Sequence, residues 1–137
     1  MEFHSLNLSL TPAEVQSWLI SKSQNAVVKV AAFGGGEDEF RLTIEYKGLA
    51  VPMHFKFISA ELALVHLELI SLPAILSMLP FLFPISKNGI KLQGRDIWID
   101  LLTLSQGRIR KLNLQELKIQ PQTITIKLLD LELTLQD

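Results

Sequence analysis

The side chains able to perform acid–base, nucleophilic or metal chemistry are few and scattered in this 137-residue chain. Cysteine is absent, and the three histidines are His4, His54 and His66. An acid–base or nucleophilic mechanism needs a reactive group held beside a matching base. No spacing in the chain pairs such groups. We therefore predict a protein that is not an enzyme, with no catalytic residue and no cofactor.

His54 and His66 offer the one arrangement that resembles a metal site. Both fall on the polar faces of alternating segments, beside Lys56 and Glu68. If the two segments pair as a hairpin, the histidines become cross-strand neighbours that could bind a metal weakly. No helical His-x-x-x-His or other ligand spacing supports this. We favour a solvated sheet face and predict no metal site.

Two carboxylates, Asp96 and Asp100, flank Trp98 on one face of a predicted strand. Four residues along a strand span about 13 Å, which is too far for a catalytic pair. Two alternatives remain for this face. It is either an exposed polar patch with an aromatic anchor, or an ordinary solvent face on which Trp98 covers a neighbouring element.

Composition limits the class of protein. The chain is 48% hydrophobic and 20% charged, with a formal net charge of -1. This length and composition predict a single domain, residues 1–137. The absence of a basic excess argues against nucleic-acid binding, because phosphates must be neutralised. The N-terminus lacks a basic segment followed by an apolar one, so we expect a cytoplasmic location, with peripheral membrane contact as an alternative.

Local patterns indicate two helices. Thr11-Pro12-Ala13-Glu14 is typical of a helix start with a capping box, and Val15, Trp18 and Leu19 then form an apolar stripe. The second helix falls in an uncharged stretch, Leu69 to Ser86. Three prolines interrupt that stretch, so we predict a buried or ligand-facing helix rather than a membrane span.

Most of the remaining chain alternates between apolar and polar residues. Residues 40–47, 51–57 and 63–69 show this pattern clearly, which favours an antiparallel sheet with one buried face. We predict an α+β fold in which about seven to eight strands form one strongly twisted sheet around two helices, at about 11–23 and 73–83. Apolar positions change parity at Leu128-Leu129, which predicts a β-bulge or a strand break there.

Several segments together resemble a known architecture. Leu-Thr-Pro-Ala-Glu-Val-Gln-Ser-Trp-Leu opens the first helix, Leu-Pro-x-x-Leu lies in mid-chain, and Leu-Lys-Ile-Gln-Pro-Gln-Thr-Ile-Thr-Ile-Lys-Leu lies near the end. With the long alternating strands, they look like the tubular lipid-binding (TULIP-like) proteins and the LmeA-like bacterial phospholipid-binding family. The resemblance implies a twisted sheet that wraps a helix and holds an acyl chain in the gap.

Two functional hypotheses follow. In the first, the chain binds an apolar ligand, a lipid or fatty-acyl chain, between sheet and helices; the predicted lining is Trp18, Met53, Phe55, Phe57, Met78, Leu79, Phe81 and Phe83. In the second, the core is fully packed and the chain is an interaction module. Leu131, Leu133 and Leu135 would then form an edge strand through which the protein self-associates.

Overall fold

In a computed structural model of the chain, residues 1–71 and 89–134 are described. These residues form nine strands and two helices, in the order β1 (Glu2–Leu10), α1 (Pro12–Ser23), β2 (Val28–Gly35), β3 (Glu39–Tyr46), β4 (Leu49–Glu61), β5 (Leu64–Ser71), β6 (Ile90–Gln93), β7 (Asp96–Asp100), α2 (Leu101–Leu104), β8 (Ile109–Ile119) and β9 (Ile124–Leu133). The helix predicted at 73–83 lies outside the described residues.

The strands form two antiparallel sheets rather than one. A six-stranded sheet has the order β2-β3-β4-β5-β7-β6, and a three-stranded sheet has the order β1-β9-β8. The α+β class is confirmed, but the prediction of one wrapped sheet is wrong. The chain leaves the larger sheet after β7, where Asp100 caps the short helix α2 and the next turn contains Gln106 and Gly107, both with positive φ. This reversal starts a new sheet instead of adding a strand to the old one.

Backbone hydrogen bonds join the two sheets. The Leu114 N–H of β8 donates to the Leu62 carbonyl in the β4–β5 turn at 2.8 Å. The Asp38 N–H, in the turn before β3, donates to the Ile119 carbonyl at the end of β8, also at 2.8 Å. The Leu114 side chain also packs on Val65 of β5 in a buried cluster. The smaller sheet therefore packs against one part of the larger sheet's inner face.

Helix α1 begins as the sequence predicts and lies along the edge strand β2. Thr11 and Glu14 form the reciprocal capping box. On the inner side of the helix, Gln16 Oε1 accepts the Phe33 N–H at 3.0 Å and Ser23 Oγ accepts the Val30 N–H at 2.9 Å. Because an unpaired strand edge is a template for aggregation, these bonds protect the edge of the larger sheet.

The change of parity in β9 has a clear structural origin. Lys111 of β8 pairs with Glu132 of β9, and the next pair along the two strands is Asn113 with Leu129. Between these pairs the chain advances by two residues in β8 and by three in β9. Asp130, within this step, has a φ of 53°. The predicted bulge near Leu128-Leu129 is thus confirmed, one residue further along the chain.

Candidate functional site

The inner face of the six-stranded sheet contains a cavity of about 170 Å³, called the apolar cavity below. Five of its strands place alternate side chains on this face, as the period of two requires. The lining residues share one property, an apolar side chain, and come from β3, β4, β5, β6 and β7: Phe40, Leu42, Met53, Phe55, Leu67, Leu69, Ile90, Leu92, Ile97 and Ile99.

Aromatic rings form one wall of the apolar cavity. Phe40 and Phe55 are direct cross-strand partners, and their ring centroids lie 4.9 Å apart in a stacked arrangement. Phe33 of β2 continues the stack at 5.6 Å from Phe40. Offset aromatic contacts of this kind hold ring positions firmly. Met53 lies beside them, and its flexible thioether can adapt to an irregular space.

The predicted lining residues have different positions in the structure. Met53 and Phe55 line the apolar cavity. Phe57 packs instead in the cluster between the two sheets. Trp18 is 60% exposed on the outer side of α1 and is absent from the cavity wall. The other four, Met78, Leu79, Phe81 and Phe83, lie outside the described residues.

Sequence reasoning missed the contribution of the β6–β7 hairpin. Ile90 and Leu92 of β6 and Ile97 and Ile99 of β7 complete the cavity wall. Their alternation was visible, but nothing local indicated that this hairpin pairs with β5. The pairing between Leu67 and Ile97 brings the hairpin to the cavity.

The chemistry of the apolar cavity is restricted to contact with apolar groups. Every described lining side chain is apolar, so the wall has no charge and no side-chain hydrogen bond to offer. A dry, engineered cavity of roughly 150 Å³ in another protein binds benzene. The volume here therefore fits a ring or one short alkyl segment, and is below the usual range for drug-sized ligands.

The outer face of the same sheet holds both of the internal histidines in carboxylate pairs. His54 Nε2 lies 2.8 Å from Glu39 Oε2, and His66 Nε2 lies 2.9 Å from Asp96 Oδ1. His66 faces Ser59 across the β4–β5 hairpin, so the alternative of a cross-strand pair of histidines, which the sequence analysis did not favour, is not realised. His54 pairs with Ser71, towards the other end of the same hairpin. In the described parts of the chain, no three potential metal ligands come together.

Trp98 is half-buried on this outer face, next to an open pocket of about 430 Å³, the surface pocket. Its ring stacks on His66 with centroids 4.7 Å apart. The Lys91 Nζ lies 5.9 Å from the ring centroid. The surface pocket is lined by Leu64, Gly89, Ile90, Lys91, Gln93, Trp98 and Asp100. Trp98 thus covers a neighbouring strand and also borders a surface pocket that combines apolar residues with Lys91, Gln93 and Asp100.

Asp100 has a structural partner for each of its carboxylate oxygens. Oδ1 accepts the N–H groups of Leu102 and Thr103 at 3.1 and 3.4 Å, and Oδ2 accepts the Thr103 hydroxyl at 2.9 Å. The carboxylate therefore caps α2. Asp96 is bound to His66. The two acids that the sequence placed on one face thus have separate structural roles.

Comparison with known proteins gives no relative. No family model, no curated protein and no solved structure matches the chain. The resemblance to TULIP-like and LmeA-like proteins therefore stays a prediction. No helix within residues 1–71 and 89–134 is long and apolar enough to cross a membrane.

Proposed function

We propose that this protein is a non-enzymatic binder of a small apolar ligand, an alkyl or fatty-acyl chain, which occupies the apolar cavity. The observation that supports the proposal is the cavity wall itself, which consists of apolar side chains from five strands around about 170 Å³. The proposal agrees with the resemblance to lipid-binding proteins but does not depend on it.

A ligand in the apolar cavity would bury apolar side chains of the wall that are partly open to solvent in the free protein. Burial of apolar surface is favourable by roughly 25 cal/mol per Å². A ligand that binds only the folded protein therefore raises its melting temperature.

A pair of matched variants tests the proposal. Leu92→Phe adds bulk to a half-buried residue of the cavity wall, whereas Leu117→Phe makes the same change in the cluster between the sheets. We expect 1-decanol to raise the melting temperature of the parent chain and of Leu117→Phe, and to have a much weaker effect on Leu92→Phe. The proposal fails if decanol leaves the parent unchanged and native mass spectrometry detects no co-purified lipid.

Self-association is a second candidate function, and the position of β1 favours it. β1 is the last strand of the three-stranded sheet, whereas Leu131 and Leu133 lie in the central strand β9. The predicted C-terminal edge strand is therefore wrong for these two residues, and Leu135 lies outside the described residues. Met1 and Leu133 exchange both backbone hydrogen bonds, so even-numbered residues of β1 direct their backbone groups away from β9.

Light scattering tests this second candidate. If β1 pairs with the β1 strand of another copy, the protein should have a dimeric mass at high concentration. Leu8 is 38% exposed on β1, and Leu8→Lys should return the protein to a monomer because an edge lysine opposes strand pairing. A monomeric parent at high concentration excludes this function.

A further inference from the structure

We propose that the ligand is an anionic amphiphile with one alkyl chain, whose tail occupies the apolar cavity and whose head group binds at Lys91 in the surface pocket. This inference rests on the proposed function and adds the chemical class of the ligand and the position of its polar end.

Continuity between the two sites is the first argument. β6 is four residues long and is the last strand in the order of the six-stranded sheet. Ile90 and Leu92 line the apolar cavity on one face, while Lys91 and Gln93 line the surface pocket on the other. Ile90 belongs to both walls. An amphiphile that passes Ile90 can therefore place its two ends in the two sites.

The charge of the surface pocket is the second argument. The surface pocket contains one cation, Lys91, and one carboxylate, Asp100, whose two oxygens already accept hydrogen bonds in the cap of α2. Within the described parts of the chain, no carboxylate lies within 4.0 Å of the Lys91 ammonium. The side-chain donors that the pocket offers to a ligand are therefore the Lys91 ammonium and the Gln93 amide. Carboxylate or phosphate oxygens match these donors.

Trp98 keeps this cationic group near the pocket. Its ring is fixed by the stack on His66, and His66 is itself fixed by the bond to Asp96. The Nζ atom of Lys91, the direct cross-strand partner of Trp98, lies 5.9 Å from the centroid of the ring. An aromatic face attracts a nearby cation, which limits the positions that the ammonium samples.

The net charge of -1 makes a general attraction for anions unimportant, so selectivity for an anion must come from the local cation, Lys91.

The volume of the apolar cavity limits the size of the tail. About 170 Å³ accommodates one short alkyl segment and is too small for the two chains of a phospholipid. The chemistry therefore favours a single-chain carboxylate or phosphate amphiphile.

The test compares decanoate with 1-decanol, which share a tail and differ in charge. The chain has two tryptophans, so a Trp18→Phe background leaves Trp98 as the only one. We expect decanoate to bind more tightly than decanol and to change the Trp98 emission. Lys91→Met should weaken decanoate binding by about fivefold and leave decanol binding unchanged. Lys29→Met, an exposed lysine on β2, is the matched control and should have no effect.

The possible failures are distinguishable. If neither compound binds, the proposed function itself is wrong. If both bind equally and Lys91→Met changes neither affinity, the cavity binds alkyl chains but the amphiphile proposal is overturned. Acetate and inorganic phosphate form a third arm. If either changes the Trp98 emission at the concentrations at which decanoate acts, the surface pocket is a simple anion site and the proposal is also overturned.

Discussion

A Cβ atom at Gly35 would lie 2.6 Å from the carbonyl oxygen of Gln120, closer than real Cβ atoms approach a backbone oxygen. The same atom would lie 3.3 Å from the Pro12 ring. The end of β2, the β8–β9 turn and the start of α1 thus meet at one point where no side chain fits. The Gln120 oxygen belongs to the backbone, so it cannot move away from an added Cβ atom without a shift of the chain.

Gly35→Ala should therefore lower the free energy of unfolding by about 1–3 kcal/mol, the usual cost of overpacking. Gly34 is the matched control, because its added Cβ would meet open space. Gly34→Ala should be neutral or raise stability by about 0.5–1 kcal/mol, since glycine weakens a strand relative to alanine. Urea unfolding measures both values, and equal effects of the two substitutions would contradict the close approach.

Met53→Ala should enlarge the apolar cavity and lower the free energy of unfolding by about 2–5 kcal/mol. Met53 is 2% exposed and lies on the cavity wall. Leu114→Ala in the cluster between the sheets should cost a similar amount. Added decanol should restore more stability to Met53→Ala than to Leu114→Ala, as measured by thermal unfolding. Equal recovery of the two variants would show that decanol acts elsewhere.

Thr11→Ala should lower stability by about 1 kcal/mol, because it leaves the first turn of α1 without its capping oxygen. The Thr11 Oγ1 atom accepts the Glu14 N–H at 3.1 Å, and Glu14 returns a bond to the Thr11 N–H at 3.0 Å. Ser17→Ala changes an exposed residue of the same helix and should have little effect on urea unfolding. A result in which both substitutions cost the same would argue against the capping box.

Trp18→Ala should change stability by less than about 0.5 kcal/mol and leave decanol binding intact, because surface substitutions away from special features are mild. Trp18 is 60% exposed, away from the apolar cavity. Isothermal titration of the variant with decanol measures the second quantity. A clear loss of affinity for decanol would show that Trp18 belongs to the binding site, as the sequence analysis predicted.

Local patterns predicted the parts of this fold that depend on neighbouring residues. The capping box at Thr11 and Glu14 involves residues three apart, so its signal is contained in one turn. The alternation through residues 40–47 and 63–69 predicted strands β3 and β5 and their inner faces, because side-chain direction repeats every two residues. The bulge at Asp130 was visible as a change in parity for the same reason.

Site residues were predictable only in part. Met53 and Phe55 follow from alternation, since both lie on the inner face of β4. Phe57 lies on that face too, yet the smaller sheet packs there and leaves it outside the cavity. The role of Asp38 was also hidden, because its hydrogen-bond partners are distant in the sequence. In the structure its N–H and carbonyl bond to Ile119 and Phe57.

The sequence by itself thus determined which segments are strands, where α1 begins and which faces are apolar. Only the tertiary structure decided that β8 and β9 form a second sheet with β1, and that the β6–β7 hairpin completes the apolar cavity. The physical reason is that periodicity and capping act over a few residues. Strand pairing instead selects among distant segments with equivalent alternation, and the selection depends on turns and packing across the whole chain.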